Sequence, residues 1–334
     1  MNLRSLALCL ATLALPVVAQ AQPVAPKVMV ITMFDGETKP WLTNLDLSNK
    51  IEVPGLPASN KDVACNDDLC VATTTMGFAN AASTTLALTL SDKFDFSQTY
   101  FLIAGIAGID PNNGTLSAAT WADYVVDVGL FHRIDDREAP AEWNSQIIGL
   151  GTKGPGEKAT WGAGNEVFKL NPALVKLAYE TTKDVELADS DIAKAYRAAY
   201  SQDAAKGAPN VMVCSTASTD TYWHGKITAE EVAGHVATLT EGKGDYCTSQ
   251  MEDNATLTAL RRAADAGKLD FERIAVLRTA SNFDRQNDNQ TAIESLKANS
   301  GGFPPAKENA FRVGNKFAQE IIGNWDKYSK GLGE

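Results

Sequence analysis

"FLIAGIAGIDPNNGTLSAATWADYVVDVGLFHRIDD", residues 101–136, holds two apolar, β-branched runs separated by a turn-forming segment. The first run starts at Thr99 and passes through Gly105 and Gly108 to Asp110. The second covers about residues 123–135. Short apolar runs bounded by Gly, Pro and Asn read as buried strands. Outward from this centre the pattern repeats. Residues 27–34, "KVMVITMF", form another buried strand, followed by the turn residues Asp35-Gly36. "DLCVATTTMGFANAASTTLALTLSD" moves from a short strand through Gly77 into a small-residue helix ending near Leu90. Residues 210–219 and 271–284 add two strands that run into small polar residues. A final amphipathic helix is expected over about 308–328.

Strands alternating with helices imply a single α/β domain, a mixed but largely parallel sheet flanked by helices. Ligands of such sheets bind outside the carboxyl ends of the strands. That rule selects residues 34–37, 105–110, 215–223 and 281–284, which are expected to converge on one pocket. Segments 151–208 and 285–305 read as insertions into a domain spanning 22–334. The first opens glycine-rich, with Lys153, Lys158 and Trp161, and continues as two polar-faced helices.

The chain has 334 residues, 44% of them hydrophobic, and a formal charge of −11. Residues 1–21 carry one cation, Arg4, then an apolar run ending in Ala19-Gln20-Ala21, which reads as a secretory signal peptide. The run is shorter than the roughly 20 residues a bilayer span needs. The expectation is an exported, periplasmic protein, and the chain beyond the signal carries −12. Such acidity argues against a nucleic-acid backbone as partner. Cys65, Cys70, Cys214 and Cys247 follow the signal, an even number suited to an oxidising compartment. Cys65 and Cys70 frame "CNDDLC", and that local pair favours Cys65–Cys70 and Cys214–Cys247 among three possible connectivities. The spacing is wrong for a zinc knuckle, and neither metal nor cofactor is expected.

"CTSQMEDNATLTALRRA", residues 247–263, turns from a polar loop into a helix at Met251-Glu252. An acid there complements the helix dipole, which is one sufficient reason for its presence. The central stretch supplies another. A strand running into G-x-A-G-x-D-P, a variable turn and a second strand resembles the signature of the nucleoside phosphorylase-like fold. The Met-Glu helix and the strand ending in Ser281-Asn282 follow in that superfamily's order. With the leader and the length, the whole chain resembles the purine nucleoside permease family.

The resemblance implies roles for particular residues. Met251 packs against a ribose and Glu252 accepts its hydroxyls, work suited to a carboxylate that accepts from two neighbouring O–H groups. Asn282 meets the purine. An amide donates to a carbonyl and accepts from a ring N–H, but supplies no useful acid, so inosine or guanosine is favoured over adenosine. The alternative for Asn282 is a strand-end turn, and with the register shifted Asp284, two residues on, takes its place. Glu37 corresponds to the water-activating glutamate of hydrolytic relatives, or is a solvated loop acid. Phe34 and Asp35 would line the same mouth, with Gly105 beside it. Tyr222 and Trp223, next to His224, would stack on the base or else belong to the core. The family pattern is broken at phosphate. Residues 73–90 hold no Lys or Arg, only hydroxyls such as Thr73, Thr74, Thr75 and Ser83, and the first loop offers Lys39 alone. A dianion wants fixed cations, and His132-Arg133 of a second copy would be a remote source.

Two functions stay open. One is a purine-nucleoside-binding protein that assists uptake with a membrane transport partner. The other is a purine nucleosidase that hydrolyses the N-glycosidic bond. A domain that kept the fold and lost nucleosides is a third, bland possibility. A homo-oligomer is the superfold's usual state. His235 reads as an ordinary helix residue, and Thr228 with Glu231 as a capping box.

Overall fold

The computed structural model describes residues 22–332, so the expected signal peptide at 1–21 lies outside the described residues. The chain opens with β1 (Val28–Thr32), α1 (Asp35–Asn44), β2 (Asn49–Glu52), β3 (Asp62–Cys65), β4 (Leu69–Thr73) and α2 (Phe78–Leu90). The centre is β5 (Tyr100–Ile109) and β6 (Ala119–Asp127), then the short β7 (Phe131–His132), β8 (Ile148–Gly149) and β9 (Val167–Lys169). Helices α3 (Pro172–Thr182), α4 (Asp191–Arg197) and α5 (Asp203–Lys206) lead to β10 (Val211–Ser218), α6 (Lys226–Leu239) and β11 (Tyr246–Gln250). The chain ends with α7 (Asp253–Asp265), β12 (Ile274–Phe283), α8 (Ala292–Lys297), α9 (Phe303–Gly323) and α10 (Trp325–Tyr328).

Ten strands form one sheet in the order β11-β10-β6-β12-β5-β1-β4-β3-β2, with β9 added beside β6. The pairs β1–β4, β1–β5, β5–β12, β6–β10 and β10–β11 are parallel, and β6–β12 is antiparallel. β11 also pairs antiparallel with the end of β5, Thr248 opposite Ile109. This closes β5, β12, β6, β10 and β11 into a ring. Every residue of β1 is buried, as expected for a strand covered on both faces. Phe311, Val313, Phe317 and Ile321 of α9 join one core with Val28–Ile31 and Tyr100–Ile103.

Several expectations need correction. Asp35-Gly36 does not turn the chain. It opens α1, and Phe34 is the extended N-cap. The second central strand begins at Ala119 rather than near 123, because Ala119–Ala122 pair with Val211–Cys214. The polar stretch after β9 holds three helices, not two. The last long helix starts at Phe303, five residues earlier than expected, with proline in its first turn where no N–H is required. Thr228 caps nothing, since α6 starts earlier, after Gly225 at φ 125°. Glu231 instead accepts from the Gln146 N–H at 2.8 Å. Residues 246–250, expected as polar loop from the hydroxyls of Thr248 and Ser249, form the strand β11.

Cys65 is bonded to Cys70 and Cys214 to Cys247. The first bond closes the β3–β4 hairpin, and the second links the neighbouring ring strands β10 and β11. Among the described residues, no helix is long and apolar enough to cross a membrane.

Candidate functional site

The strands β1, β5, β10, β11 and β12 deliver their carboxyl ends to a cavity of about 290 Å³. Met33, Phe34 and Glu37 reach it from the end of β1, Ile106–Gly108 from β5, and Thr221–Trp223 from the loop after β10. Ser249–Glu252 enter from β11, and Ser281 and Asn282 from β12. The structure thus brings together Phe34, Glu37, Tyr222, Trp223, Met251, Glu252, Asn282 and Asp284.

Glu252 is the N-cap residue of α7, yet its carboxylate does not cap that helix. Gln250 takes over part of the work. Its Oε1 accepts from the N–H groups of Glu252 at 2.8 Å and Asp253 at 2.9 Å. This leaves Glu252 free to face the cavity. Its Oε1 accepts from the Gly77 N–H at 3.2 Å, and its Oε2 from Arg278 Nη2 at 3.3 Å. Burial pushes this carboxyl up, opposed first by the Arg278 charge.

Glu37 is 2% exposed and sits in the first turn of α1, not in a solvated loop. The Ile106 N–H donates to its Oε1 at 2.7 Å and the Met33 N–H to its Oε2 at 2.8 Å. Burial pushes its pKa up to about 7, although Arg278 and the two N–H groups pull downward. A carboxylate poised there exchanges a proton near neutral pH, which suits a general base.

The sequence reading missed Arg278, the cation that organises these acids. It is 1% exposed in mid-β12. It donates to both oxygens of Asp253, to the Ile106 carbonyl at 2.9 Å, and more weakly to Gln250 and Glu252. Burial disfavours its charge, but Asp253, Glu252 and Glu37 together hold it protonated. One signal was available: an arginine interrupting the apolar run "RIAVLRTA" cannot be buried without partners. Gln250, Ser249, Met76 and Phe303 were missed too, since ordinary polar and apolar residues give no local sign of lining a cavity.

Some expectations shift. Gly105 does not line the cavity but lies beneath its acids. A Cβ there would stand 2.0 Å from Met33 Cε, 2.6 Å from Glu37 Oε1 and 2.8 Å from Arg278 Nη1. Asp35 is exposed and accepts from Asn60 Nδ2 at 2.8 Å, away from the mouth. Asp284 touches the cavity, but both its oxygens are engaged, by Arg285 Nε at 2.7 Å and Tyr246 OH at 2.8 Å. Burial pushes its pKa up to about 6, opposed by Arg285. Asn282 donates to the Phe283 carbonyl at 2.9 Å and accepts from Ser281 Oγ at 2.8 Å. Phe34 lies near-parallel to Phe303 with centroids 6.2 Å apart, and Tyr222 is 56% exposed at the rim.

The fold is that of the nucleoside phosphorylase-like proteins, and solved structures share it. Futalosine hydrolase of Helicobacter pylori superposes with a TM-score of 0.54 at 14% identity, covering 88% of this chain and 98% of that one. A 5'-methylthioadenosine/S-adenosylhomocysteine nucleosidase from Neisseria meningitidis gives 0.54 at 12% identity, over 89% and 99%. The model of the family described as purine nucleoside permease matches residues 25–333. A probable purine nucleoside permease of Schizosaccharomyces pombe is 37% identical over 321 residues, covering 91% of each chain. A purine nucleoside permease of Candida albicans is 36% identical over 312 residues, covering 91% of this chain and 77% of its own. The chain belongs to the purine nucleoside permease family.

Proposed function

We propose that the cavity binds a purine nucleoside and that this binding serves nucleoside uptake. The observation that carries the reading is Glu252, a buried carboxylate relieved of helix capping and turned to the cavity beside Met251. Such a group accepts from two vicinal hydroxyls, and Met251 offers a soft apolar surface for the sugar ring. The base then lies toward Phe34, Tyr222, Trp223, Phe303 and Asn282. Its flat faces suit aromatic walls. In this reading the protein is exported, works in the periplasm and passes its ligand to a membrane transport partner. Homo-oligomer formation belongs to the same proposal.

Glu37 favours a second reading, hydrolysis of the N-glycosidic bond. A base of pKa about 7 in the same cavity as the sugar carboxylate is suited to deprotonating water. The bond between the anomeric carbon and the base nitrogen breaks, its electron pair leaving with the base, as the water oxygen bonds to that carbon; Glu37 takes one water proton, and the departing purine anion takes its proton from solvent. Asn282 offers no proton to the departing base, which makes an acid-assisted step unfavourable. Phosphorolysis fits worst. A phosphate dianion would face Glu37 and Glu252, while Arg278 is already committed to Asp253.

Calorimetry of residues 22–334 with inosine, guanosine and adenosine, with free base followed by chromatography, tests both readings. Nucleoside binding that falls about a hundredfold in Glu252→Ala is the expected result, from loss of charge-assisted bonds. No binding at millimolar nucleoside would overturn the first reading. Free base released without phosphate, and abolished in Glu37→Gln, would establish the second.

A further inference from the structure

Three residues on three strands meet at one point of the main cavity's wall. Gly108 of β5 is opposite Ser249 on its antiparallel neighbour β11 and opposite Asn282 on its parallel neighbour β12. Residues opposed across a sheet carry their side chains on the same face, and all three line the cavity. Gly108 is not among the glycines with a left-handed backbone, so conformational freedom is not the reason for a glycine there. Space is. A Cβ on Gly108 would stand 3.0 Å from Ser249 Oγ and 3.3 Å from Asn282 Nδ2. The missing side chain leaves a notch in the wall, with a hydroxyl on one side and an amide on the other.

Below the rim, most polar groups of the cavity are occupied by the protein itself. Glu37 and Glu252 accept from backbone N–H groups, Gln250 caps α7, and Arg278 is held by Asp253. Ser281 Oγ is taken by Asn282 and the Ala107 carbonyl. Ser249 is different. Its hydroxyl has no hydrogen-bond partner among the described residues, and the residue is half-buried with its oxygen beside the notch. Asn282 also keeps a donor in reserve. Its Nδ2 gives one N–H to the Phe283 carbonyl, and an amide nitrogen carries two. Two unused donors thus flank the notch.

A carbonyl oxygen has two lone pairs and accepts from both donors. An amine in its place would set its own N–H against that of the amide, and a C–H would leave both donors unpaired. We propose that the notch over Gly108 seats the C6 carbonyl of a 6-oxopurine nucleoside and that Ser249 donates to this oxygen beside Asn282; the inference rests on the nucleoside reading above. Asn282 alone supplies one bond to the carbonyl. Ser249 supplies the second, and Gly108 lets the oxygen sit close against the strand.

Calorimetry of residues 22–334 with inosine and purine riboside, which carries hydrogen at C6, is the test. Wild-type protein is expected to bind inosine about tenfold or more tighter. In Ser249→Ala the ratio of the two affinities falls about tenfold, as loss of one buried hydrogen bond predicts. Ser249→Thr, which keeps the hydroxyl, retains part of the ratio, and Gly108→Ala, which fills the notch, lowers it. Residual purine riboside binding in each variant reports a folded site. Equal affinities in wild type, or an undiminished ratio in Ser249→Ala, would overturn the role of Ser249 and leave the nucleoside reading standing. Should wild-type protein bind neither nucleoside, both would fall.

Discussion

Glu37 shows how far one residue's chemistry depends on its surroundings. Its pKa near 7 in the folded protein, against about 4.5 in an unfolded chain, means that the folded state holds the proton longer. Below pH 4.5 both states are protonated. As pH rises toward 7, the unfolded chain releases its proton first, so stability falls across that window and levels off above it. Glu252 and Asp284, also raised by burial, push the same way. Glu37→Gln is therefore expected to make the decline in stability between pH 4.5 and 7 shallower, as followed by denaturant unfolding at several pH values. An unchanged slope would show that the carboxyl titrates as it does in water. The amide forfeits one of the two N–H contacts from Met33 and Ile106, which lowers stability at every pH but not the slope.

Among the elements, the junction of β11, α7 and β12 decides the site. Gln250 satisfies the first N–H groups of α7, Asp253 in its first turn neutralises Arg278, and Glu252 between them is left to the cavity. The Met-Glu pair at a helix mouth was readable from "SQMEDNATL", and dipole complementarity was a sufficient local reason for it. The division of labour between Gln250 and Glu252 was not readable, because it requires β11 to be a strand. Removing Arg278 would strand Asp253 and Glu252 in a buried space. Arg278→Met is expected to cost about 3–5 kcal/mol of stability, measured by denaturant unfolding, and to abolish nucleoside binding. A loss under about 1 kcal/mol would mean that the acids simply take up protons and the arginine is dispensable.

At the scale of the whole molecule, two disulfides brace the sheet in unequal ways. Cys65–Cys70 spans a sequence separation of 5 and Cys214–Cys247 one of 33. Loop-closure entropy predicts about 2 kcal/mol for the first and about 4 kcal/mol for the second. Cys247 also starts the run that becomes Ser249–Glu252, so its bond anchors a cavity wall. Replacing Cys214 and Cys247 by Ala is expected to lower the unfolding midpoint more than replacing Cys65 and Cys70, and to weaken nucleoside binding as well. The opposite ranking in chemical denaturation would remove the longer bond from this account.

The sequence by itself determined the strand-and-helix alternation, the mixed α/β class, and which strand ends would carry the site. Those follow from apolar runs and glycine punctuation, which are local. The resemblance to a family also singled out Glu37, Met251, Glu252, Asn282 and the rim aromatics as one set. Only the tertiary structure decided what each could do there. Arg278 became the partner of Asp253 and Glu252 because three strands of a closed ring bring distant residues within 4 Å. Asp284 took Arg285 and Tyr246 as partners at the cavity wall, and Gly105 became the floor beneath Glu37. His224 was left with both ring nitrogens buried and unpaired. Burial and pairing are properties of neighbours in space. The local pattern of a chain carries neighbours only along itself.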